Sequence, residues 1–208
     1  VPWIMGAWPR AEVIARIAAT TALIAIVSPN NPTGLHATAA DVAAIAAAAP
    51  HALVLVDAAY AEYGDPDLSV EALRWPNVVL VRTLSKAWGL AGLRVGYAVA
   101  APTTVRWLRS VGSPFTCGRF ARAAACVRLA TGLADTANHV ATVRAERAAT
   151  ESLLAELGVA CLPSQANFVF ALPPDPVLLR DQLAGLGIAV RAFAWPQFER
   201  LRGGDRKS

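Results

Sequence analysis

The sequence predicts an α/β fold built on a mostly parallel β-sheet. Four apolar blocks of strand length lie at residues 22–27, 52–56, 77–81 and 92–100, and turn-forming residues flank them. These blocks alternate with helical or irregular stretches. Because the blocks are apolar almost without interruption, we expect both faces of the strands to be buried, as in a parallel sheet covered by helices.

Helices are predicted between and after these strands. The first, over residues 37–49, has Thr38 as a possible cap and Asp41 in its first turn, where a negative charge is favourable. Three further helices are predicted after Pro102, over residues 103–111, 119–131 and 134–157.

The last part of the chain predicts a small α+β unit. After Gly158 come the apolar stretches VACLP and ANFVFAL, a helix near residues 175–186, and the strand-like GIAV that leads into Arg191. We expect a large domain over residues 1–145, incomplete at its N-terminus, and a small domain over residues 146–208, incomplete at its C-terminus.

The composition indicates a globular chain without a membrane segment. Of 208 residues, 55% are apolar and 16% are charged, and the apolar runs are too short to cross a bilayer. The basic residues behind the net charge of +4 are dispersed, which does not indicate nucleic-acid binding. We expect a cytoplasmic protein with an anionic small-molecule partner.

The cysteines and histidines do not predict a metal site. Cys117, Cys126 and Cys161 have no C-x-x-C spacing, so we expect buried, reduced thiols. The three histidines have no partners at ligand spacing.

One lysine stands out in the segment RTLSKAWGLAGLRVGY, residues 82–97. Of the 19 basic residues only Lys86 and Lys207 are lysines, and Lys207 lies in the polar tail. A desolvated lysine amine can attack a carbonyl or carry a proton, whereas arginine stays protonated. Lys86 is therefore a candidate reactive group, although rare lysine usage alone leaves chance as an alternative.

Three more polar side chains follow the first two strands. Asn31 lies in SPNNPTG, where two prolines and Gly34 predict a fixed turn; Asp57 directly follows the second strand, and Tyr60 comes three residues later. A carboxylate at the end of a buried strand needs a cation or several donors. Because ligands gather at the carboxyl ends of strands, we expect one shared site. A plain turn and a helix cap at Asp57 are the alternatives.

A candidate phosphate clamp surrounds the lysine. Thr83 and Ser85 place hydroxyls beside Lys86, and Arg94 follows two glycines. The glycine spacing matches neither a Rossmann nor a P-loop motif, and a Ser85–Lys86 hydrolytic dyad would leave the other polar groups without a role. An amine, a carboxylate, two further donors and a phosphate clamp are the groups that pyridoxal 5'-phosphate (PLP) requires.

With these motifs the sequence resembles the fold-type I PLP-dependent aminotransferases, and among them the histidinol-phosphate aminotransferase family. The matching stretches are SPNNPTG, LVDAAYAEY and RTLSKAWGLAGLRVGY. The resemblance implies the aspartate-aminotransferase-like PLP-transferase fold. It also implies roles at the cofactor: Asn31 and Tyr60 at the phenolic oxygen, Asp57 at the pyridine nitrogen, Lys86 as Schiff-base lysine and general base, and Ser85 and Arg94 at the phosphate.

The resemblance extends to the substrate. ANFVF and GIAVRAF resemble the small domain of this family, in which the arginine matching Arg191 contacts the substrate phosphate, and Asn31 is expected at the substrate too. Arg202 is the candidate for the α-carboxylate, although the residues after it depart from the family pattern. The implied reaction is amino transfer between L-glutamate and imidazole-acetol phosphate, giving L-histidinol phosphate in histidine biosynthesis, by a homodimer.

Departures from the family leave rival interpretations open. Ala58 stands where the family usually has Glu, and the family's N-terminal arm, phosphate-cup glycine loop and ring-stacking aromatic residue would lie before Val1, so we expect a fragment of a longer chain. A threonine-phosphate decarboxylase-like enzyme or an aromatic aminotransferase would share the cofactor residues. A non-catalytic remnant that binds the cofactor or a partner without turnover is the rival from another class.

Overall fold

The computed structural model describes residues 1, 3, 5–113 and 115–193. The strands in the described part of the chain are β1 (Leu23–Val27), β2 (Leu53–Asp57), β3 (Val78–Thr83), β4 (Gly96–Ala100), β5 (Cys161–Leu162) and β6 (Phe170–Ala171). The first four form one sheet in the order β1-β2-β3-β4, in which β1, β2 and β3 are parallel and β4 is antiparallel to β3. The predicted α/β fold with a mostly parallel sheet is confirmed.

The described helices are α1 (Arg10–Ile14), α2 (Ala39–Ala48), α3 (Ser69–Ala72), α4 (Pro102–Val111), α5 (Arg119–Thr131), α6 (Leu133–Glu156) and α7 (Pro176–Gly185). The Thr38 hydroxyl accepts from the Asp41 N–H and the Asp41 carboxylate accepts from the Thr38 N–H, so the predicted start of α2 is a full capping box. The helix α6 runs without a break through residues 145 and 146. The predicted domain boundary therefore falls inside a helix and stays a prediction.

The main core lies between the central strands and the helices α2 and α3. It contains fully buried side chains such as Val54, Val56 and Val78. The expectation that the strands are buried on both faces is wrong for the two strands at the sheet edges. Leu23 of β1 is 55% exposed and Tyr97 of β4 is 40% exposed, because the described helices cover these edge strands incompletely.

The small unit is less regular than the sequence predicts. The strands β5 and β6 form an antiparallel pair, but residues 187–193 form no strand, so the strand-like interpretation of GIAV is wrong. The reason lies at the end of α7, where the N–H groups of Gly187 and Ile188 donate back to the Ala184 and Leu183 carbonyls and Gly187 adopts a φ of 79°. This closing turn leads the chain away from a strand conformation.

Two cysteines differ from expectation. All three are free thiols, but Cys117 and Cys126 are exposed and Cys161 is half-buried, so the prediction of buried thiols is wrong for the first two. Cys126 lies on α5, a helix that buries only Ala125 among its residues. Within the described residues, no helix has the length and apolar character needed to cross a membrane, and no group of three or more His, Cys, Asp or Glu side chains could hold a metal ion.

Candidate active site

The three parallel strands end together at one edge of the sheet. Asp57, the last residue of β2, lies in register between Val27 of β1 and Val81 of β3. The Ser28 N–H donates to the Asp57 carbonyl and the Ala58 N–H donates to the Val81 carbonyl, both over 2.9 Å. The segments that follow these strands therefore emerge side by side, and they are the segments that carry the sequence-predicted cofactor residues.

Asn31 and Tyr60 touch each other at this edge. Asn31 Nδ2 donates to the Tyr60 hydroxyl oxygen over 2.9 Å. Tyr60 is only 7% exposed, and its ring packs edge-to-face on Phe168 with 5.2 Å between the centroids. Because the Tyr60 oxygen accepts from Asn31, the Tyr60 proton is free to be donated to another oxygen.

The turn that carries Asn31 is closed by its own backbone and backed by the small unit. The Gly34 N–H donates to the Asn30 carbonyl and the Asn30 N–H to the Leu35 carbonyl, each over 2.7 Å. Gly34 has a φ of 75°, and a Cβ on it would overlap the side chain of Ser164. The motif therefore needs glycine for two independent reasons, its backbone angle and its contact with Ser164.

Lys86 lies beside Tyr60. Its Nζ is 5.2 Å from the centroid of the Tyr60 ring. The face of an aromatic ring attracts an ammonium group at this distance through a cation–π interaction. The side chain is half-buried, and no acidic side chain among the described residues forms an ion pair with it. The turn around it is closed by the Gly89 N–H, which donates to the Lys86 carbonyl over 3.1 Å. The Lys86 amine thus lies near the hydrogen-bonded Asn31 and Tyr60 side chains, and no described carboxylate pairs with it.

Asp57 is a negatively charged group without a positively charged partner among the described residues. Its carboxylate is half-buried and accepts the Ala59 N–H at Oδ1 over 3.1 Å. No described arginine, lysine or histidine pairs with it. A half-buried carboxylate without a cation is costly, so this position favours a ligand that brings a positive charge.

The candidate phosphate clamp is only partly assembled from side chains. Thr83 Oγ1 accepts the Ser85 N–H over 3.1 Å, so the Thr83 hydroxyl shapes the turn before Lys86. The Leu84 N–H donates to the Val95 carbonyl over 3.0 Å, which brings Arg94, the neighbour of Val95, alongside Ser85.

Arg94 has an unusual backbone conformation. Its φ of 54° lies in the left-handed region, and its Nη1 donates to the Ala91 carbonyl over 3.0 Å. A non-glycine residue in this region costs roughly 1–2 kcal/mol. Strain of this kind concentrates at binding sites. Here it fixes the direction in which an exposed guanidinium leaves the turn.

Arg191 lies on a cavity rather than at the sheet edge. It is exposed, and its guanidinium carbon is 5.6 Å from the centroid of the Phe193 ring. Together with Asn31, Phe168 and the residues of β6 and α7, it lines a cavity of about 360 Å³. Of the predicted site residues that the structure describes, only Asn31 and Arg191 line this cavity, so the cavity meets the sheet edge at Asn31.

The cavity also contains a residue that sequence reasoning missed. Arg180 of α7 lines it, and the Nε and Nη2 atoms of Arg180 bond to Asp181 Oδ1 over 2.8 and 2.7 Å. Nothing in the local sequence separates Arg180 from other polar positions of a helix. Arg202, the predicted α-carboxylate residue, lies outside the described residues.

The helix α6 supports the turn after Tyr60 from behind. Arg144 Nε donates to the Tyr63 carbonyl over 3.1 Å, and Arg147 Nη1 donates to the Ala166 carbonyl over 2.7 Å. The Tyr63 hydroxyl lies 3.2 Å from His139 Nε2, and burial, followed by the charge of Glu62, raises the pKa of Tyr63. Tyr60 thus projects from a turn that is fixed on its far side.

These side chains form a coherent set. A cationic ring nitrogen would satisfy Asp57, an anionic oxygen would accept from Tyr60, an aldehyde would suit the Lys86 amine, and a phosphate would suit Arg94. The chemistry of this donor set fits PLP.

The sequence comparison decides the family. The family described as aminotransferase class I and II matches residues 11–202. The chain belongs to the class I and II aminotransferases. Among its curated relatives in that family, the aromatic amino acid aminotransferase of Mycobacteroides abscessus is 42% identical over 176 residues, which are 82% of this chain and 50% of the relative.

Another relative has a different name. The histidinol-phosphate aminotransferase of Thermobifida fusca is 38% identical over 186 residues, covering 88% of this chain and 50% of the relative. The chain thus spans about half the length of the curated relatives that it matches.

Solved structures of aminotransferases have the same fold. The histidinol-phosphate aminotransferase of Sinorhizobium meliloti, in complex with pyridoxal-5'-phosphate, has a TM-score of 0.78 and 30% identity, covering 91% of this chain and 53% of that chain. The aspartate aminotransferase of Thermus thermophilus with maleate has a TM-score of 0.70 at 23% identity, covering 88% and 52%, which shows the fold alone. The predicted aspartate-aminotransferase-like fold is confirmed.

Proposed function

We propose that the protein is a PLP-dependent aminotransferase that exchanges an amino group between L-glutamate and imidazole-acetol phosphate, giving L-histidinol phosphate in histidine biosynthesis. Membership of the class I and II aminotransferases supports the reaction type. The relatives named for histidinol phosphate support the substrate, and the residues of the sheet edge support the cofactor.

Each predicted residue at the sheet edge would have a separate role toward the cofactor. When bound, PLP supplies an aldehyde and an electron-accepting ring. Lys86 would hold the aldehyde covalently and then act as the base that moves a proton at the substrate α-carbon. Asp57 would keep a proton on the ring nitrogen, while Asn31 and Tyr60 would donate to the phenolic oxygen. Ser85 and Arg94 would bind the phosphate.

The observation that carries the substrate assignment is that Arg191 and Asn31 line the same cavity. The remaining walls are mostly apolar and include Phe168 and Phe193. A cavity with an aromatic wall and arginines suits a flat ring that carries an anionic group, and an arginine binds a phosphate through paired hydrogen bonds.

A second candidate is an aromatic amino acid aminotransferase. Two observations favour it: the 42% identical relative bears that name, and the same apolar cavity walls would accept a phenyl ring. The two candidates differ in what Arg191 binds. The phosphate of a phosphorylated substrate would bind the positive charge of Arg191, whereas an unphosphorylated aromatic side chain has no anionic group to do so.

The experiment compares kcat/KM for histidinol phosphate with kcat/KM for phenylalanine in the protein expressed from its complete coding sequence. An arginine–phosphate contact contributes about 1.5–3 kcal/mol, so Arg191→Ala should lower the preference for histidinol phosphate roughly ten- to a hundred-fold. Arg74→Ala is the matched control, because Arg74 is exposed and, among the described residues, forms an ion pair with Glu71 alone. An unchanged ratio in Arg191→Ala would leave a general aminotransferase.

We also propose that the protein is a homodimer, as the family resemblance implies. The helices α4 and α5 and the segment between them expose large apolar side chains, among them Trp107 at 64%, Phe115 at 91% and Phe120 at 89%. A second copy of the chain would remove this surface from water. Sedimentation of the wild type and of Phe120→Asp tests this: a monomeric wild type contradicts the proposal.

A further inference from the structure

A buried ion pair joins the turn that carries Tyr60 to the strand that leads to Lys86. Arg82 Nη2 donates to Glu62 Oε1 over 3.1 Å, and only 12% of each of the two side chains is exposed. Glu62 lies two residues after Tyr60, and Arg82 lies four residues before Lys86. The pair therefore connects the turn that follows β2 to the end of the neighbouring strand β3.

The same carboxylate oxygen also binds the far side of the lysine turn. Trp88 Nε1 donates to Glu62 Oε1 over 3.2 Å, and Trp88 lies two residues after Lys86. The Trp88 carbonyl accepts in turn from Arg128 Nε over 3.3 Å. Glu62 thus contacts the chain on both sides of Lys86.

Arg82 is held in one place by further partners. Its Nη1 donates to Asp67 Oδ2 over 3.1 Å and to Ser69 Oγ over 2.8 Å. Burial alone would lower the pKa of Arg82, but the charges of Glu62 and Asp67 outweigh burial and raise it. The guanidinium therefore stays charged and presents two different nitrogens to two different turns.

Stability alone does not explain this arrangement. Glu62 Oε2 and Arg82 Nε are buried and have no hydrogen-bond partner among the described residues. A buried ion pair is weak support for stability, and each unpaired buried polar atom costs free energy. The pair instead joins the two segments that carry Tyr60 and Lys86, and the Lys86 amine lies 5.2 Å from the centre of the Tyr60 ring.

We propose that Glu62 is a positioning residue that acts through Arg82 and Trp88 to hold the Lys86 amine against Tyr60. The inference rests on the proposed function, because that function assigns Lys86 and Tyr60 to the cofactor.

The test compares Glu62→Gln with Glu71→Gln in the protein expressed from its complete coding sequence and loaded with PLP. Both changes remove one carboxylate charge, but Glu71 is 51% exposed and pairs with Arg74 on the surface. Four quantities are measured: the dissociation constant of PLP, the pH midpoint of the absorbance change of bound PLP, kcat, and KM for the amino donor. Thermal unfolding reports stability separately.

We expect Glu62→Gln to lower kcat roughly tenfold while KM changes by less than about twofold, because misplacing a proton-transferring amine affects the chemical step more than binding. The pH midpoint should rise, since a displaced Tyr60 donates less well to the charged oxygen. Trp88→Phe, which removes the indole N–H and leaves a smaller aromatic ring, should shift the midpoint in the same direction by less. Glu71→Gln should leave all four quantities at their wild-type values.

Three outcomes separate the possibilities. If Glu62→Gln lowers only the unfolding temperature and its loaded form matches Glu71→Gln, Glu62 is structural and the proposal is wrong. If Glu62→Gln does not fold, an unshifted midpoint in Trp88→Phe overturns the proposal equally. If the wild type does not bind PLP, the proposed function fails, and amide hydrogen exchange in residues 84–90 then tests the link: faster exchange in Glu62→Gln supports it and unchanged exchange contradicts it.

Discussion

The carboxyl edge of the sheet and the cavity beside α7 hold their polar side chains by different means. At the edge, Asp57 ends a central strand, and Asn31 and Tyr60 are bonded to each other over 2.9 Å. In the cavity, Arg180 lies on a helix near the surface and Arg191 lies in a segment without regular structure. The side chains of the first region are positioned by several strands at once. The position of each arginine in the second region depends only on the helix or segment that carries it.

The difference suggests a division of labour. Groups that must meet one cofactor in one geometry lie where the sheet determines their spacing, and groups that choose between substrates lie where the chain can vary without disturbing the sheet. Substitutions at the edge should therefore remove the reaction, whereas substitutions in the cavity should shift substrate preference.

The largest effect should come from Lys86→Ala. With no amine beside Tyr60, we expect activity to fall to background while the fold persists, because Lys86 is a half-buried side chain without an ion-pair partner among the described residues. Borohydride reduction and peptide mapping of the wild type should place the pyridoxyl label on Lys86. Lys207→Ala is the matched control and should keep full activity; a label on another residue would contradict the site.

Asp57→Asn should come next. An amide cannot stabilise a protonated ring nitrogen, and a shift of about two pKa units in that proton equilibrium corresponds to about 2.8 kcal/mol, or roughly a hundred-fold in kcat. Asp65→Asn, at an exposed position, serves as the control. Turnover close to wild type in Asp57→Asn with PLP bound would exclude the role.

Arg94→Gly separates function from strain. Loss of a charged hydrogen bond to phosphate should weaken PLP binding roughly ten- to a hundred-fold. The unfolding temperature should not fall, because glycine adopts the φ of 54° without the penalty that arginine carries. Fluorescence titration with PLP and thermal unfolding measure the two effects, and a destabilised variant with normal PLP affinity would reverse the assignment.

The smallest effect is expected in the cavity at Arg180. Asp181 already binds two of its nitrogens and the Arg180 side chain is 43% exposed, so Arg180→Met should raise KM for histidinol phosphate by only about two- to fivefold. Arg106→Met, an exposed arginine on α4, is the control. A loss as large as that expected for Arg191→Ala would make Arg180 an equal partner in substrate recognition.

The sequence predicts the sheet well because its information is local. The apolar blocks at 22–27 and 52–56 correspond to β1 and β2 within one residue at either end. The block at 92–100 begins as a strand only at Gly96, since residues 91–93 form a 3₁₀ turn and Arg94 is left-handed. The pattern of apolar residues does not reveal a single non-glycine residue with a positive φ.

Long-range pairings are what the sequence does not reveal. Glu62 and Arg82 are 20 residues apart and meet only because β2 and β3 are adjacent. Arg180 of α7 lines the cavity together with residues of β6, which lie several positions earlier in the sequence. Neither pattern nor spacing distinguishes these residues from charged residues on an open surface.

The scarcity of lysine gives the candidate site an experimental handle of its own. Lys86 is the sole lysine in the described part of the chain, and Lys207 is the other lysine of these 208 residues, so a reagent that acylates amines has few targets within this sequence. The mass added to the peptide that contains Lys86 would then report how accessible this one nitrogen is. A ligand that covers the sheet edge should be visible as protection of this single peptide, without any assay of turnover.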